Sequence, residues 1–182
     1  MAGPGDLHAF AQELLLASVE ALETIPDLEV GLLGAPERRF VSPGQPVFDC
    51  CDQLTVHVQT ISEADTTPGG LSAGQRARYG RINWTTMIIT STRCISAVSE
   101  SGAGSVIIPS VEDLEADSEQ LDADAWALWN HLFNMKAAGQ FSTLCSEVFF
   151  DGINSIVPSG GCAGWTVTVR ASLDGYEESL GS

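Results

Sequence analysis

The chain has 182 residues, 44% of them hydrophobic, with 8 Lys and Arg against 24 Asp and Glu, a formal net charge of −16. That length predicts one domain, 1–182, with enough apolar content for a core, and the acidity speaks against a specific nucleic-acid binder, because phosphate binding runs on Lys and Arg. No apolar run approaches the ~20 residues needed to cross a bilayer, and MAGPGDLHAF has no basic segment followed by an apolar one, so synthesis and folding in a cytoplasm is the expectation.

Asp6 to Thr24 reads as the first helix. Asp6 suits the N-cap, Leu7, Phe10, Leu14, Ala17 and Ala21 recur at helical spacing, and Pro26 ends it. Pro26 to Pro46 is a connector in which Glu37 to Val41 reads as a short edge strand. Gln53 to Ile61 alternates: Leu54, Val56 and Val58 point one way, and Thr55, His57 and Gln59 the other. This predicts a strand with one buried and one polar face.

Residues 62–80 lack periodicity and are rich in Gly, Ser, Thr and Ala, which predicts a long protruding loop or arm. Its end carries Arg76, Arg78, Tyr79 and Arg81; with Arg93 beyond, this stretch holds four of the seven arginines. In so acidic a chain, Arg76, Arg78, Tyr79 and Arg81 are the candidate subunit-interface residues, meeting an acidic neighbour.

Arg81 to Val98 is dominated by Thr, Ile, Val and Trp, with apolar residues in both phases: Ile82, Trp84 and Ile88, then Met87, Ile89 and Ile95. A strand apolar on both faces is covered on both and sits centrally in its sheet. Fully extended it would span roughly 55 Å at about 3.3 Å per residue, which predicts a bend, a bulge or a projecting end.

Glu100 to Ser105 is a turn, and Val106-Ile107-Ile108 reads as a brief edge strand. Glu112 to Asp124 is an acidic run feeding a helix from about Ser118 to Ala138. Leu121, Ala125, Leu128, Leu132 and Met135 form its stripe, and Trp126, Trp129 and Phe133 widen it enough to predict burial against the sheet plus a partner. Gly139 is the expected C′ residue. Phe141 to Val157 is readable as helix or strand, with Glu147 to Phe150 favouring strand. Ser159 to Gly164 is a turn leading to a one-sided strand from Trp165 to Leu173, and 174–182 is a flexible acidic tail. The whole reads as α+β, a mostly antiparallel sheet with two main helices packed on it and a long extended arm. Whether the helices share one face of the sheet is left open.

Catalytic patterns are thin. Gly70-Leu71-Ser72-Ala73-Gly74 matches the G-x-S-x-G of hydrolase nucleophiles, but neither flank supplies the strand and helix that hold such a serine on an elbow. His8, His57 and His131 stand far apart, so no zinc site is expected. Asp122-Ala123-Asp124 begins like a calcium loop, yet Trp126 and Ala127 stand where ligands and a glycine belong. No glycine-rich turn suggests a phosphate cradle. The five cysteines, Cys50, Cys51, Cys94, Cys145 and Cys162, lack CxxC spacing and are expected as buried free thiols.

Several short blocks occur in a suggestive order: Phe48-Asp49-Cys50-Cys51-Asp52-Gln53 before a strand, a glycine-rich arm, a long strand, a helix with Trp126 and Trp129, Phe150-Asp151-Gly152-Ile153, Gly160 to Trp165, and Leu173-Asp174-Gly175-Tyr176. From Phe48 to Tyr176 the chain resembles the small head–tail junction proteins of long, non-contractile-tailed phages infecting actinobacteria. Tail terminators are the nearest likeness, and head–tail connector (stopper) proteins of the neck the next.

The resemblance implies a structural virion protein, not an enzyme. It implies a ring, usually a hexamer, that caps the tail tube and joins it to the head. Expected partners are further copies of itself, the tail tube protein and the head–tail connector, with DNA only passing through and no membrane. It implies no cofactor, no metal and no catalytic residue, and a place in the virion tail or neck after assembly in the host cytoplasm. A serine hydrolase using Ser72 is the remote alternative.

Overall fold

A computed structural model of the chain describes residues 7–24, 33–46, 52–63, 82–100 and 106–174. They form α1 (Leu7–Glu23), β1 (Arg38–Ser42), β2 (Gln53–Glu63), β3 (Ile82–Cys94), β4 (Ser99–Glu100), β5 (Val106–Ile107), α2 (Val111–Ala137), β6 (Glu147–Ser159) and β7 (Cys162–Asp174). Five strands make one sheet in the order β1-β2-β3-β7-β6, and β4 and β5 make a separate two-stranded ribbon. Only β1 and β2 pair in parallel; every other pair is antiparallel. This is the expected α+β class, a mostly antiparallel sheet carrying two helices.

β3 is central, as its composition predicts. Val56 faces Ile89 across the β2–β3 ladder, and Ile89 faces Val167 across the β3–β7 ladder. These residues join Leu54, Met87, Val169, Phe10, Leu14, Leu128 and Leu132 in one buried cluster. Both helices therefore cover the same face of the sheet. Phe141, in the turn between α2 and β6, packs edge-on to Phe10 of α1 at 6.0 Å and to Phe150 of β6 at 6.1 Å. Such edge-to-face arrangements suit the aromatic quadrupole.

α1 follows its predicted stripe, with Phe10, Leu14, Ala17 and Ala21 buried; Asp6 and Pro26 lie outside the described residues. The one polar side chain on that face, Ser18, donates to the Leu14 carbonyl at 2.7 Å, which satisfies its hydroxyl without another element.

α2 begins at Val111, about two turns before the expected Ser118. Ser110 caps it: the Asp113 amide donates to Ser110 Oγ at 3.1 Å, and the Ser110 amide donates back to the Asp113 carboxylate at 3.2 Å. This capping box sits ahead of the apolar stripe, so hydrophobic spacing alone placed the start too late. At the other end the Gly139 amide donates to the Lys136 carbonyl and the Gln140 amide to the Met135 carbonyl, a Schellman closure with Gly139 at the expected C′ position.

The ambiguous segment resolves as strand. β6 runs unbroken from Glu147 to Ser159 with a register shift between Phe150 and Gly152, and joins β7 through Gly160 and Gly161, both at positive φ (59° and 79°). Two such residues in a row form the tight turn whose twist matches the strands. β7 accordingly starts at Cys162 rather than Trp165. At Gly164 a Cβ would lie 1.9 Å from the Ser91 carbonyl oxygen of β3, so only glycine lets the two backbones approach this closely.

Two further expectations change. β2 extends through Ser62 and Glu63, so the predicted arm loses its first two residues to the sheet; positions 64–81, like 175–182, lie outside the described residues. The polar phase of β2 is not solvent-facing at its start: Gln53, Thr55 and His57 are buried, beside buried Thr90 and Thr92 of β3. Alternation predicts which residues share a face, but not whether that face is covered.

Candidate functional site

The antiparallel register gives the sheet two distinct ends. Glu147, Ser172 and Trp84 align at one; Ser159, Cys162 and Cys94 align at the other. α2 runs from the second to the first. Near its start the Ser96 amide donates to Asp117 at 2.6 Å, further on Trp165 Nε1 donates to the Leu121 carbonyl at 2.6 Å, and near its end Lys136 Nζ stands 4.9 Å over the Phe149 ring.

Arg93 lies at the Cys94 end of β3. It faces the helices and is 3% exposed. Its Nε and Nη2 grip both oxygens of Asp124, at 2.7 and 3.1 Å, Nη1 reaches Asp52 at 3.2 Å, and Nη2 donates to the Gly34 carbonyl at 2.6 Å. Gln120 extends the network by donating to Asp124 at 2.8 Å and to the Leu33 carbonyl at 3.2 Å, while accepting from the Leu33 amide at 2.6 Å. Burial lifts the Asp124 carboxyl above the ordinary carboxylate range, and the Arg93 guanidinium pulls against that. Arg93, Asp124 and Gln120 all bond to groups of their own chain. The cluster joins strand, helix and the 33–34 segment, and it offers no open position to a substrate. Arg93, grouped by sequence with the arginines of the arm, is thus an internal staple.

The Cys94 end also carries the largest display of apolar side chains. Val98, Val106, Ile107, Ile108, Val111 and Leu114 are all exposed, Ile108 to 75%. Ser99 pairs with Ile107 in the β4–β5 ribbon, which sets Val98 opposite Ile108, and Val111 and Leu114 follow through the Ser110 cap on one side of α2. Glu112, Asp113 and Glu115 are exposed among them. The Asp113 carboxyl is held below its usual range by its hydrogen bonds to the Ser110 side chain and backbone.

A second apolar surface lies on the outer side of α2. Trp126 is 66% exposed and Phe133 54%; the Trp129 and Phe133 rings stack with centroids 6.5 Å apart. Of the broad helix face read from the sequence, Ala125, Leu128, Leu132 and Met135 are the apolar residues buried.

The opposite end of the molecule is aromatic and carries charges of both signs, Lys136 and Arg170 beside Glu147 and Asp151. Phe149 packs on Trp84 at 5.7 Å, with the Arg170 guanidinium 5.8 Å from its ring. Arg170 also forks onto Asp151 at 2.5 and 2.7 Å. Beside them a cavity of about 290 Å³ is lined by Lys136, Phe141, Cys145, Ser146 and Glu147 among others. It contains no histidine and no paired nucleophile and base.

Catalytic and metal readings gain nothing. Among the described residues no group of three or more His, Cys, Asp or Glu is placed to hold a metal ion. Ser72 and the candidate interface residues Arg76, Arg78, Tyr79 and Arg81 lie outside the described residues. Among the described residues, no helix is long and apolar enough to cross a membrane. The thiols divide: Cys94 is exposed and free, Cys145 is buried and donates to the Phe141 carbonyl at 3.4 Å, and Cys162 is disulfide-bonded, which corrects the expectation of free thiols throughout. Spacing along the chain could not reveal a pairing made by the fold.

Sequence reasoning missed the β4–β5 ribbon as a display surface. The signal was Val106-Ile107-Ile108 standing directly before a capped acidic helix start. The fold defines an α+β protein with exposed apolar surfaces and no assembled catalytic centre among its described residues. No protein-family model and no curated protein matches the chain.

Proposed function

We propose that this chain is a structural subunit of a phage virion, a tail terminator that closes into a ring on the end of the tail tube and joins it to the head connector. The observation that carries the reading is the exposure of large apolar side chains on two separate surfaces of a well-packed body, the β4–β5 end and the outer side of α2. Exposed patches of this kind mark sites of protein contact. A closed ring needs two different complementary surfaces for its neighbours, and a terminator needs further surface for tube and connector.

The ordered sequence blocks between Phe48 and Tyr176 support the same assignment, and the charge of −16 suits a channel wall along which DNA slides without sticking. In this reading the chain catalyses nothing and holds no cofactor. Mass spectrometry of purified virions, with labelled-antibody electron microscopy, tests it. The chain is expected in every particle at the head-proximal end of the tail. A chain absent from virions, or found only in the infected cell, ends the proposal.

A further inference from the structure

The five-stranded sheet has two edges, and they are unlike. β1 is five residues long and bounded by Pro36 and Pro43, a blunted edge. β6 is 13 residues long, eight of them exposed, with Val157 at 77%. Among the described residues no strand pairs with its outer side. We infer that this edge binds a second copy of the chain, β6 against β6 in antiparallel across a two-fold axis, joining the two sheets into one.

Charge selects both the surface and its occupant. The chain carries −16, yet from Ala125 to Leu173 Lys136 and Arg170 balance Glu147 and Asp151. That span is the second half of α2, β6 and nearly all of β7. A second acidic copy meets least repulsion on this neutral side of the molecule. Asp151 is moreover tied to Arg170 of its own chain. Within β6 both acids precede Gly152, and Gly152 to Ser159 carries no charge. Antiparallel self-pairing sets the acidic part of one strand against the uncharged part of the other, whereas parallel self-pairing would set acid beside acid.

The backbone supplies the register. Between its two register shifts, β6 pairs regularly with β7 from Gly152 to Ile156, a stretch without proline or charge. Thr166 Oγ1 donates to the Asn154 carbonyl at 3.3 Å, so that carbonyl faces β7. Alternation then turns the amides and carbonyls of Ile153 and Ser155 outward, where they template a further strand. With the two-fold axis at Asn154, Ile153 of each copy exchanges both bonds with Ser155 of the other. The two Asn154 residues then oppose each other as a non-hydrogen-bonded pair, their Cα atoms about 4.5 Å apart.

The helix side of the same edge is apolar. α1 lies over β1 and β2, and α2 over β7 and β6. His131 of α2 faces α1, 3.8 Å from Glu20. At about 100° per residue, Trp129 and Phe133 point away from α1, towards the β6 edge. Their rings stack, and Phe133 is 54% exposed. Across the axis they would meet their counterparts above the joined strands. A two-fold contact is not the heterologous contact of a ring, so this dimer is a state of the unassembled chain and stands independently of the virion role.

Sedimentation of the full chain should show a dimer and nothing larger, one that holds or tightens as salt screens the two acidic bodies. Hydrogen exchange should find the Ile153 and Ser155 amides protected at high concentration and open on dilution. Phe133→Glu, exposed and off the strand, should keep its circular dichroism spectrum and weaken dimerisation by about 30-fold or more. Asn154→Cys should cross-link to itself under mild oxidation, while the natural chain, whose Cys94 is exposed, should not. A chain that stays monomeric, a larger oligomer in place of the dimer, β6 amides open at every concentration, a Phe133→Glu variant that associates as the natural chain does, or an Asn154→Cys variant that stays uncross-linked would each overturn the inference. Absence of the chain from virions would end the phage role and leave this dimer standing.

Discussion

Arg93 of β3 and Asp124 of α2 meet in a two-pronged ion pair, 2.7 and 3.1 Å, with the two residues 3% and 1% exposed. The pair sits where the β3 strand ends and the helix passes overhead. It ties the middle of α2 to the end of β3.

Removing one partner strands a buried charge. Asp124→Ala or Arg93→Ala is expected to lower stability by about 3–5 kcal/mol in urea unfolding. The double variant should cost clearly less than the two single values added, because the second change removes a charge already orphaned. Additive losses would mean that the two side chains do not act as a unit.

Core and surface aromatics should separate cleanly. Phe141→Ala, at the junction of α1, α2 and β6, should cost about 3–5 kcal/mol. Trp126→Ala, on the open side of α2, should change stability by no more than about 0.5 kcal/mol and, under the proposed virion role, should reduce incorporation into particles. A Trp126 variant that unfolds easily would show that this ring is held by the chain itself.

Gly164→Ala tests the close approach of β7 to β3. The added methyl would meet the Ser91 carbonyl at 1.9 Å, and the neighbouring atom is backbone. The variant is expected to lose about 1–3 kcal/mol or to fail to fold. Soluble protein with an unchanged melting temperature would count against the tight β3–β7 packing.

The polar phase of β2 holds side chains without partners. Among the described residues, the Thr55 hydroxyl and both amide atoms of Gln53 are buried and make no hydrogen bond. Thr55→Val keeps the shape and removes the unsatisfied hydroxyl, so it should raise stability by about 1 kcal/mol. A loss on thermal unfolding would point to a hydroxyl contact that the fold needs.

His57 and Asp113 both predict weaker folding in acid, over different ranges. Burial lowers the His57 pKa, so the unfolded chain takes up its proton first. Stability should fall as pH drops below about 6.5, the unfolded histidine value, and level once the folded form also protonates. Asp113 is depressed by Ser110, so its contribution is present above the unfolded carboxylate range and lost as pH falls through the folded value. Asp124, raised by burial, acts with the opposite sign in its own window. His57→Gln should flatten the melting-temperature profile between about pH 7 and 5; an unchanged slope would show that His57 does not drive it.

Much of the fold was legible because it depends on local pattern. The stripe of Phe10, Leu14, Ala17 and Ala21, the β-branched run at β3 and the alternation of Val167, Val169 and Ala171 each name an element and its buried side. The start of α2 was misplaced because the Ser110–Asp113 box is a local polar signal, while the stripe that announces the helix begins later. β6 was ambiguous because a long edge strand whose register shifts between Phe150 and Gly152 shows neither clean period. The candidate surfaces were harder still. Exposure is a statement about what is absent nearby, and Val106, Ile107 and Ile108 look in sequence like any strand bound for a core.

Composition and periodicity were sufficient for the class of fold, the central place of β3, the apolar side of each helix and the acidity that disfavours nucleic acid, since each follows from the chemistry of neighbouring residues. Folding alone settled the rest: that both helices share one face, that Arg93 turns inward to Asp124, and that Val106, Ile107 and Ile108 are exposed at one end while Lys136 stands over Phe149 at the other. Those outcomes are set by contacts between residues far apart in the chain, whose partners no local pattern names.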